Sequence, residues 1–276
     1  MSRRSLAFFL FAVSFFLGIL ALSKPASAEN IRIITPYLGS IRNVYENEEY
    51  LLDLEDSELL KGIYVQWINT QRFQWNLFVY QSSDINYATL WGGHFIFDYY
   101  FGVRGRAKYV AGTGIEFIRI DMDAGSKISP LSDFRLENTI LIPYFRFGRY
   151  FPVGKMDPKG GTSVTLLPWI GIQPEFVRGD ISFNFGGPFP PPVDEKIEED
   201  ELYAIAGLNA RAVLYHFIEL EAKYHGTFNT ADYFSTVSAM MNLYASRRVG
   251  LSYRFKFMEM SSGSNTYHMG GIAFLF

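Results

Sequence analysis

The segment FIELEAKYHGTF, residues 217–228, alternates apolar and polar side chains along most of its length. Successive side chains of an extended chain point to opposite sides, so this segment predicts a strand with one apolar and one charged face. The charged face consists of Glu219, Glu221, Lys223 and His225. A chain built from such strands must turn one face inward, and the choice of face decides what kind of protein it forms.

Segments with the same two-residue period recur to the end of the chain, separated by turn-forming residues. They predict twelve strands, at about 31–39, 60–68, 71–81, 89–102, 107–121, 136–150, 162–178, 201–214, 216–228, 233–246, 249–259 and 265–276. No apolar stretch long enough for a membrane helix follows residue 28. Many weakly alternating segments of about ten residues instead indicate an all-β fold, a closed antiparallel transmembrane β-barrel. The pattern favours about 12 strands and is compatible with about 10 to 14.

The first 28 residues have the layout of a secretory signal peptide. Arg3 and Arg4 give a basic start, residues 6–22 are apolar, and the small residues ASA precede a cleavage point after Ala28. We therefore predict a cleaved signal peptide over 1–28 and a single barrel domain over 29–276. An uncleaved membrane anchor is the alternative, because the apolar run is long for a signal peptide.

The composition excludes several classes of protein. Loss of Arg3, Arg4 and Lys24 with the signal peptide leaves 22 of the 25 basic residues against 28 acidic ones, a net charge of −6. Nucleic-acid binding calls for a basic patch or stripe, so we expect no nucleic acid as a partner. The chain contains no cysteine, which excludes disulfides, thiolate metal sites and lipid attachment through an N-terminal cysteine.

The connections between the predicted strands differ in length. Long acidic or proline-rich stretches occupy 43–58, 122–135 and 185–201, whereas most connections of the other set are short. An even strand number puts both chain ends on the side with short turns, as in bacterial barrels. The stretch LLDLEDSELL at 51–60 predicts a short surface helix within one of the long connections.

Three prolines lie inside predicted strands of a barrel that has no free edge: Pro143, Pro168 and Pro174. Proline cannot donate to a strand ladder. We expect β-bulges at these residues, or strands that project past the membrane there.

The alternation also predicts which side chains face inward. A soluble two-sheet sandwich would solvate the polar faces, but the segments are longer than sandwich strands and several carry aromatic residues near their ends, which favours the barrel. The polar faces then line the lumen. The predicted lumen-lining charged or titratable residues are His94, Asp98, Glu116, Arg146, Glu175, Arg211, Glu219, Glu221, Lys223, His225, Arg254 and Lys256. The turn near 214–217 would bring Arg211 roughly opposite Glu219.

The last predicted strand, YHMGGIAFLF, ends on Phe276. With Phe274 and Ile272 before it, this end resembles that of bacterial outer-membrane β-barrel proteins, although the opposite set of positions is also apolar. The resemblance covers the whole chain after residue 28 and picks out no particular family. It implies an outer-membrane location, an assembly signal at Phe274 and Phe276 read by the barrel-assembly machinery, and contact with outer-membrane lipids and lipopolysaccharide.

Two functions remain open for such a barrel. About eight strands leave an interior filled by side chains and about sixteen leave an open pore, so twelve strands fit either a porin-like passive channel for small polar or charged solutes or a plugged structural barrel. The alternative is an outer-membrane lipid-modifying enzyme of the lipase or lipid A deacylase type. None of the four histidines has a serine two positions away, so we predict no catalytic residues, and we predict no metal site and no cofactor.

Overall fold

The computed structural model describes most of the chain after the predicted signal peptide. The described residues are 30–47, 52–69, 73–82, 88–101, 108–125, 131–157, 162–185, 192–215, 217–246, 248–260 and 263–276. The predicted signal peptide at 1–28 lies outside them, as do Glu48 and Glu49 of the first acidic stretch. Among the described residues, no helix is long and apolar enough to cross a membrane.

The described residues form twelve strands that close into a barrel. The strands are β1 (Asn30–Asn47), β2 (Leu52–Asn69), β3 (Phe73–Ser82), β4 (Ala88–Phe101), β5 (Lys108–Gly125), β6 (Leu131–Asp157), β7 (Thr162–Phe185), β8 (Val193–Leu214), β9 (Ile218–Phe228), β10 (Tyr233–Tyr244), β11 (Val249–Met260) and β12 (Gly263–Leu275). Each pairs antiparallel with its neighbours in sequence, and β1 closes the barrel against β12. The predicted fold and strand number are confirmed.

The start of β1 meets the last residue of the chain at the closure of the barrel. The Phe276 N–H donates to the Arg32 carbonyl at 2.9 Å, and the Arg32 N–H donates to the Phe276 carbonyl at 3.3 Å. We call this side the termini end and the opposite side, where β1 joins β2 and β7 joins β8, the hairpin end. On β12, Ile272, Phe274 and Phe276 point outward with exposed fractions of 47%, 38% and 68%. The structure thus resolves the face that the sequence left open for this strand.

Several strands are longer than a membrane requires. β6, β7 and β8 contain 27, 24 and 22 residues, whereas about 9 to 11 residues cross a bilayer. Toward the hairpin end the outward faces of β5 to β8 change from apolar to charged. Exposed ion pairs form there between neighbouring strands: Arg119–Glu137 at 3.1 Å, Arg135–Asp123 at 3.6 Å and Arg178–Asp200 at 2.6 Å. These strands therefore continue into a charged sheet beyond the apolar belt.

Two predictions about the long connections are wrong. Much of 43–58, 122–135 and 185–201 is strand, because β1, β2 and β5 to β8 extend into these stretches. The helix predicted at 51–60 is also wrong, since β2 begins at Leu52 and pairs with β1 through this region. Pairing with a neighbouring strand outweighs the weak local helix pattern of a short acidic segment.

The three prolines lie in β6 and β7 without bulges. The register between these strands is the same on both sides of Pro143 and Pro174, because Leu141 pairs with Phe176 and Phe145 pairs with Ile172. Register shifts among the described residues of this ladder occur only near its ends, between Ser132 and Arg135 and between Val153 and Asp157. The bulges expected at the prolines are thus not formed; the ladder instead loses individual pairs.

Candidate functional site: the barrel lumen

The structure places the twelve predicted lumen residues on inward faces. On β9, Glu219, Glu221, Lys223 and His225 point inward while Leu220 and Tyr224 are 40% and 46% exposed on the outside. Nine of the twelve line a cavity of about 130 Å³ inside the barrel: His94, Glu116, Arg146, Glu175, Glu221, Lys223, His225, Arg254 and Lys256. Asp98, Arg211 and Glu219 lie nearer the termini end and pair with neighbouring charges.

Asp98 on β4 and Arg146 on β6 form a buried ion pair with two-point contact. Arg146 Nη2 donates to Asp98 Oδ2 at 2.7 Å and to Oδ1 at 2.8 Å, and Nε donates to Oδ1 at 3.1 Å. Gly112 of β5 lies directly between the two residues in the register. A Cβ at Gly112 would lie 2.8 Å from Arg146 Nε, so the missing side chain provides the space in which the pair meets.

A second ion pair crosses the lumen. Lys256 Nζ on β11 bonds Glu116 Oε1 on β5, and their side chains are only 10% and 15% exposed. β11 and β5 lie six strands apart in either direction around the barrel. The pair therefore joins opposite walls, which a wide pore would keep apart.

A polar network lines one side of the lumen at the termini end. Arg211 bonds Glu219 at 2.7 Å, and Glu219 also accepts from Asn242 at 3.0 Å and from the Tyr244 hydroxyl at 2.8 Å. The predicted Arg211–Glu219 contact is confirmed, but Arg211 lies directly opposite Glu221 and reaches Glu219 diagonally. The hydrogen bonds thus link β8, β9 and β10 across the inside of the wall.

Arg254 lies among aromatic side chains. Its Nε donates to the Tyr37 hydroxyl at 2.8 Å, and its guanidinium carbon lies 3.4 Å from the centre of the Tyr64 ring. The Tyr37 hydroxyl also bonds Ser252. The guanidinium group is thus fixed by a hydrogen bond to a tyrosine hydroxyl and by a cation–π contact with a tyrosine ring.

An apolar layer occupies the lumen on the hairpin side of the Lys256–Glu116 pair. Beyond Glu116, β5 turns Ile118 and Ile120 inward, and beyond Lys256, β11 turns Met258 and Met260 inward. They belong to one buried cluster with residues of β1, β2, β3, β4, β6, β7 and β12, among them Ile41, Leu60, Leu90 and Ile140, whose exposed fractions are 1%, 0%, 0% and 1%. At this level the layer fills the lumen beside β1 to β7, β11 and β12, while the cavity continues beside β9 and β10, where Thr227, Phe234 and Thr236 line it.

Alternation of polar and apolar residues did not predict this apolar layer, because its inward side chains are apolar like the outward ones. The available signal was the loss of alternation near the hairpin end of the strands. In β5, for example, Phe117, Ile118 and Ile120 place large apolar side chains on both faces.

The described histidines contact aromatic rings. His94 lies 5.6 Å from the Phe78 ring, His225 lies 5.6 Å from the Trp169 ring, and His268 Nδ1 is 2.7 Å from the Tyr253 hydroxyl on the outer surface. No hydrogen bond among the described residues joins these histidines to a serine. His216 lies outside the described residues. The described residues also contain no group of three or more His, Asp or Glu side chains suited to a metal ion.

These features define the class of fold. A closed antiparallel barrel of twelve strands, apolar outside and polar over much of its inside, is the fold of bacterial outer-membrane β-barrel proteins.

The chain is similar to the translocator domain of the autotransporter NalP from Neisseria meningitidis, with 12% identity, a TM-score of 0.50, and coverage of 99% of this chain and 98% of that one. It is also similar to the KdgM porin in complex with disordered oligogalacturonate, with 10% identity, a TM-score of 0.44, and coverage of 88% and 99%. The transport unit of the autotransporter AIDA-I from Escherichia coli has 10% identity, a TM-score of 0.44, and coverage of 96% of both chains. At this identity, the similarity to NalP shows the fold alone. No family model and no curated protein sequence matches the chain.

Proposed function

We propose that the chain is an outer-membrane barrel whose lumen is closed along its axis by its own side chains, a plugged structural barrel. The buried apolar layer carries this proposal, since Leu60, Leu90 and Ile118 have no accessible surface and the space left beside the layer belongs to a cavity of only about 130 Å³. The Lys256–Glu116 pair, which joins opposite walls beside this layer, supports the same conclusion. A porin-like channel for small polar or charged solutes would require both to move aside.

The outer surface supports the membrane location. Outward side chains such as Ile170, Leu202 and Leu251 are 66%, 62% and 63% exposed, which is costly in water and favourable in lipid. The charged sheet beyond this belt suits the lipopolysaccharide head-group region, where acidic side chains and phosphates bind divalent ions together. Phe274 and Phe276, outward on the last strand, are the residues we assign to recognition by the barrel-assembly machinery. We assign residues 1–28 to a signal peptide that is cleaved on export.

Conductance tests this proposal. The purified protein, reconstituted in planar bilayers, is expected to show no single-channel conductance at any voltage. A variant with Glu116, Ile118, Lys256 and Met258 all changed to alanine removes the cross-lumen pair and part of the apolar layer from both walls, and it should conduct. The matched control changes outward residues of the same strands, Ile115, Phe117, Tyr253 and Phe257, to alanine and should stay silent. Steady conductance by the unchanged protein would refute the closed lumen.

No observation on the described residues favours a lipid-modifying enzyme over the closed barrel. The described histidines contact rings and a tyrosine hydroxyl, and none bonds a serine that it could activate. Lipid hydrolysis by the purified protein, lost on alanine substitution at one histidine, would favour the enzyme instead.

A further inference from the structure

The wall between β6 and β7 contains a break in its hydrogen-bond ladder. Pairing runs through Leu141–Phe176 and resumes at Phe145–Ile172, but the three intervening pairs are absent. They comprise 142–144 on β6 and 173–175 on β7, which we call the proline break. Pro143 and Pro174 stand directly opposite each other at its centre, as the unchanged register on either side shows.

The two prolines explain the break. A directly opposed antiparallel pair either exchanges two N–H···O bonds or none, and proline has no N–H. On their other sides both residues lie in unbroken ladders, Pro143 with Ile115 of β5 and Pro174 with Leu202 of β8. In each case the position that would carry the N–H therefore faces the boundary between β6 and β7, and both hydrogen bonds are lost there. Pro168 causes a second gap in the same boundary, nearer the termini end, where Arg149 and Tyr150 of β6 have no pairing partner on β7.

The proline break lies between the cavity and the lipid-facing surface. The inward side chains at the break, Ile142, Tyr144, Gln173 and Glu175, all line the cavity. On the outer surface Phe145 and Ile172, which border the break, are 56% and 51% exposed within the apolar belt. A bilayer-spanning wall normally satisfies its backbone groups internally, so a run without ladder bonds is the weakest part of this wall.

Among the described residues, one carboxyl group of the cavity lacks a partner. Arg146, Lys256 and Lys223 are paired with acidic side chains, but among the described residues Glu175 has neither an ion pair nor a hydrogen bond. Glu175 is 6% exposed, lies at the break, and faces Glu201 across β7–β8. A buried acidic group without a donor favours a cationic, hydrogen-bond-donating ligand.

We propose that the proline break is a lateral entrance through which the cavity exchanges small amphiphilic amines with the bilayer. The amine pairs with Glu175, and the alkyl chain extends through the break into lipid. The cavity of about 130 Å³ suits a head group, since a protein cavity of about 150 Å³ accepts a benzene-sized molecule. The inference rests on the closed lumen proposed above, because axial access would make a side entrance unnecessary.

A cysteine reporter tests the entrance, because the chain has no cysteine of its own. Ser238→Cys places a thiol on the cavity lining, and Val237→Cys on the same strand places one on the outer surface as a control for reagent in the bilayer. The protein in liposomes is treated with N-dodecylmaleimide, which partitions into lipid, or with a water-soluble cationic thiosulfonate. Modification at residue 238 or 237 is followed by peptide mass spectrometry.

The Pro143→Val/Pro174→Val background restores both donors and should slow labelling of Ser238→Cys by N-dodecylmaleimide about tenfold, because two ladder bonds must then break before the wall opens. Pro36→Val is the matched control. It repairs another proline gap, which lies between β1 and β12, and the residues around that gap do not line the cavity. The labelling rate of Ser238→Cys should therefore stay unchanged. Labelling of Val237→Cys should be equal in all backgrounds.

The ligand class is tested by protection of the reporter. n-Decylamine should slow labelling of Ser238→Cys, n-decanoate should not, and Glu175→Gln should abolish the protection by the amine. Protection by decanoate, or protection that survives Glu175→Gln, would overturn the assignment of amines.

The outcomes separate the two proposals. Equal labelling of Ser238→Cys with and without the prolines, or no labelling by N-dodecylmaleimide, overturns the lateral entrance and leaves the closed lumen standing. Fast labelling by the water-soluble reagent instead overturns the closed lumen. If the valine variant does not fold, Ile142→Cys/Glu175→Cys provides a reversible lock, since facing cysteines at non-hydrogen-bonded positions meet disulfide geometry. Oxidation of that variant should block labelling at residue 238 and reduction should restore it; no difference overturns the entrance.

Discussion

The buried ion pair between Asp98 and Arg146 provides the sharpest test of how the lumen is stabilised. Both side chains are almost inaccessible, with exposed fractions of 6% and 7%, and three hydrogen bonds join them. Asp98→Ala leaves the guanidinium buried without its counter-charge. Removing one partner of a buried pair costs about 3–5 kcal/mol, so we expect the free energy of unfolding to fall by that amount.

A double-mutant cycle separates the pair from its surroundings. Asp98→Ala, Arg146→Ala and the double variant are unfolded reversibly with guanidinium chloride in lipid-containing micelles and followed by tryptophan fluorescence. The double variant should lose less than the sum of the single losses, with a coupling of about 2–3 kcal/mol. The exposed Arg119–Asp121 pair, with exposed fractions of 36% and 37%, is the control and should couple by less than about 1 kcal/mol. Equal coupling in the two pairs would refute the reasoning.

Gly112 extends the same test. Gly112→Ala places a Cβ 2.8 Å from Arg146 Nε and closer still to Asp98 Oδ1, so it should disrupt the pair and cost about 1–3 kcal/mol. In the Asp98→Ala background the substitution should cost much less, because the carboxylate it would displace is gone. An undiminished cost there would show that Gly112 serves another purpose.

Three further predictions concern closure, close contact and the unpaired carboxyl group. Deleting Phe276 removes its two hydrogen bonds with Arg32 and should lower the folded fraction in outer membranes, measured by heat-modifiable migration on gels; an unchanged fraction would contradict its role in closure. Gly39→Ala places a Cβ 2.7 Å from the Met269 backbone, which cannot move aside as a side chain could. The substitution should therefore lower the free energy of unfolding by about 1–3 kcal/mol. No loss of stability would mean that β12 shifts freely. Glu175→Gln should leave the unfolding free energy within about 1 kcal/mol, because it removes a buried acidic group that has no described partner; a loss above about 2 kcal/mol would reveal one.

The prolines show how far sequence reasoning reached. The sequence alone marks Pro143, Pro168 and Pro174 as residues that a closed ladder cannot pair fully, and it predicts bulges there. Only the register shows that Pro143 faces Pro174, so that two missing donors meet at one boundary. Strand pairing depends on register across the wall, which alternation within each strand does not specify.

The charged residues show a similar division. Alternation placed Glu116 and Lys256 on inward faces, but nothing in the sequence indicated that they meet, since they are far apart in the chain and lie on opposite walls. The Arg211–Glu219 contact was predictable because a short turn joins their strands.

The amino-acid sequence by itself determined the twelve strands, their two faces and the barrel they close into, because a two-residue period and turn-forming residues are local properties of the chain. The tertiary structure alone decided that side chains of opposite walls meet in the lumen and that the wall is broken at two facing prolines. Whether inward side chains meet depends on barrel diameter and strand register, which arise only when all twelve strands have paired.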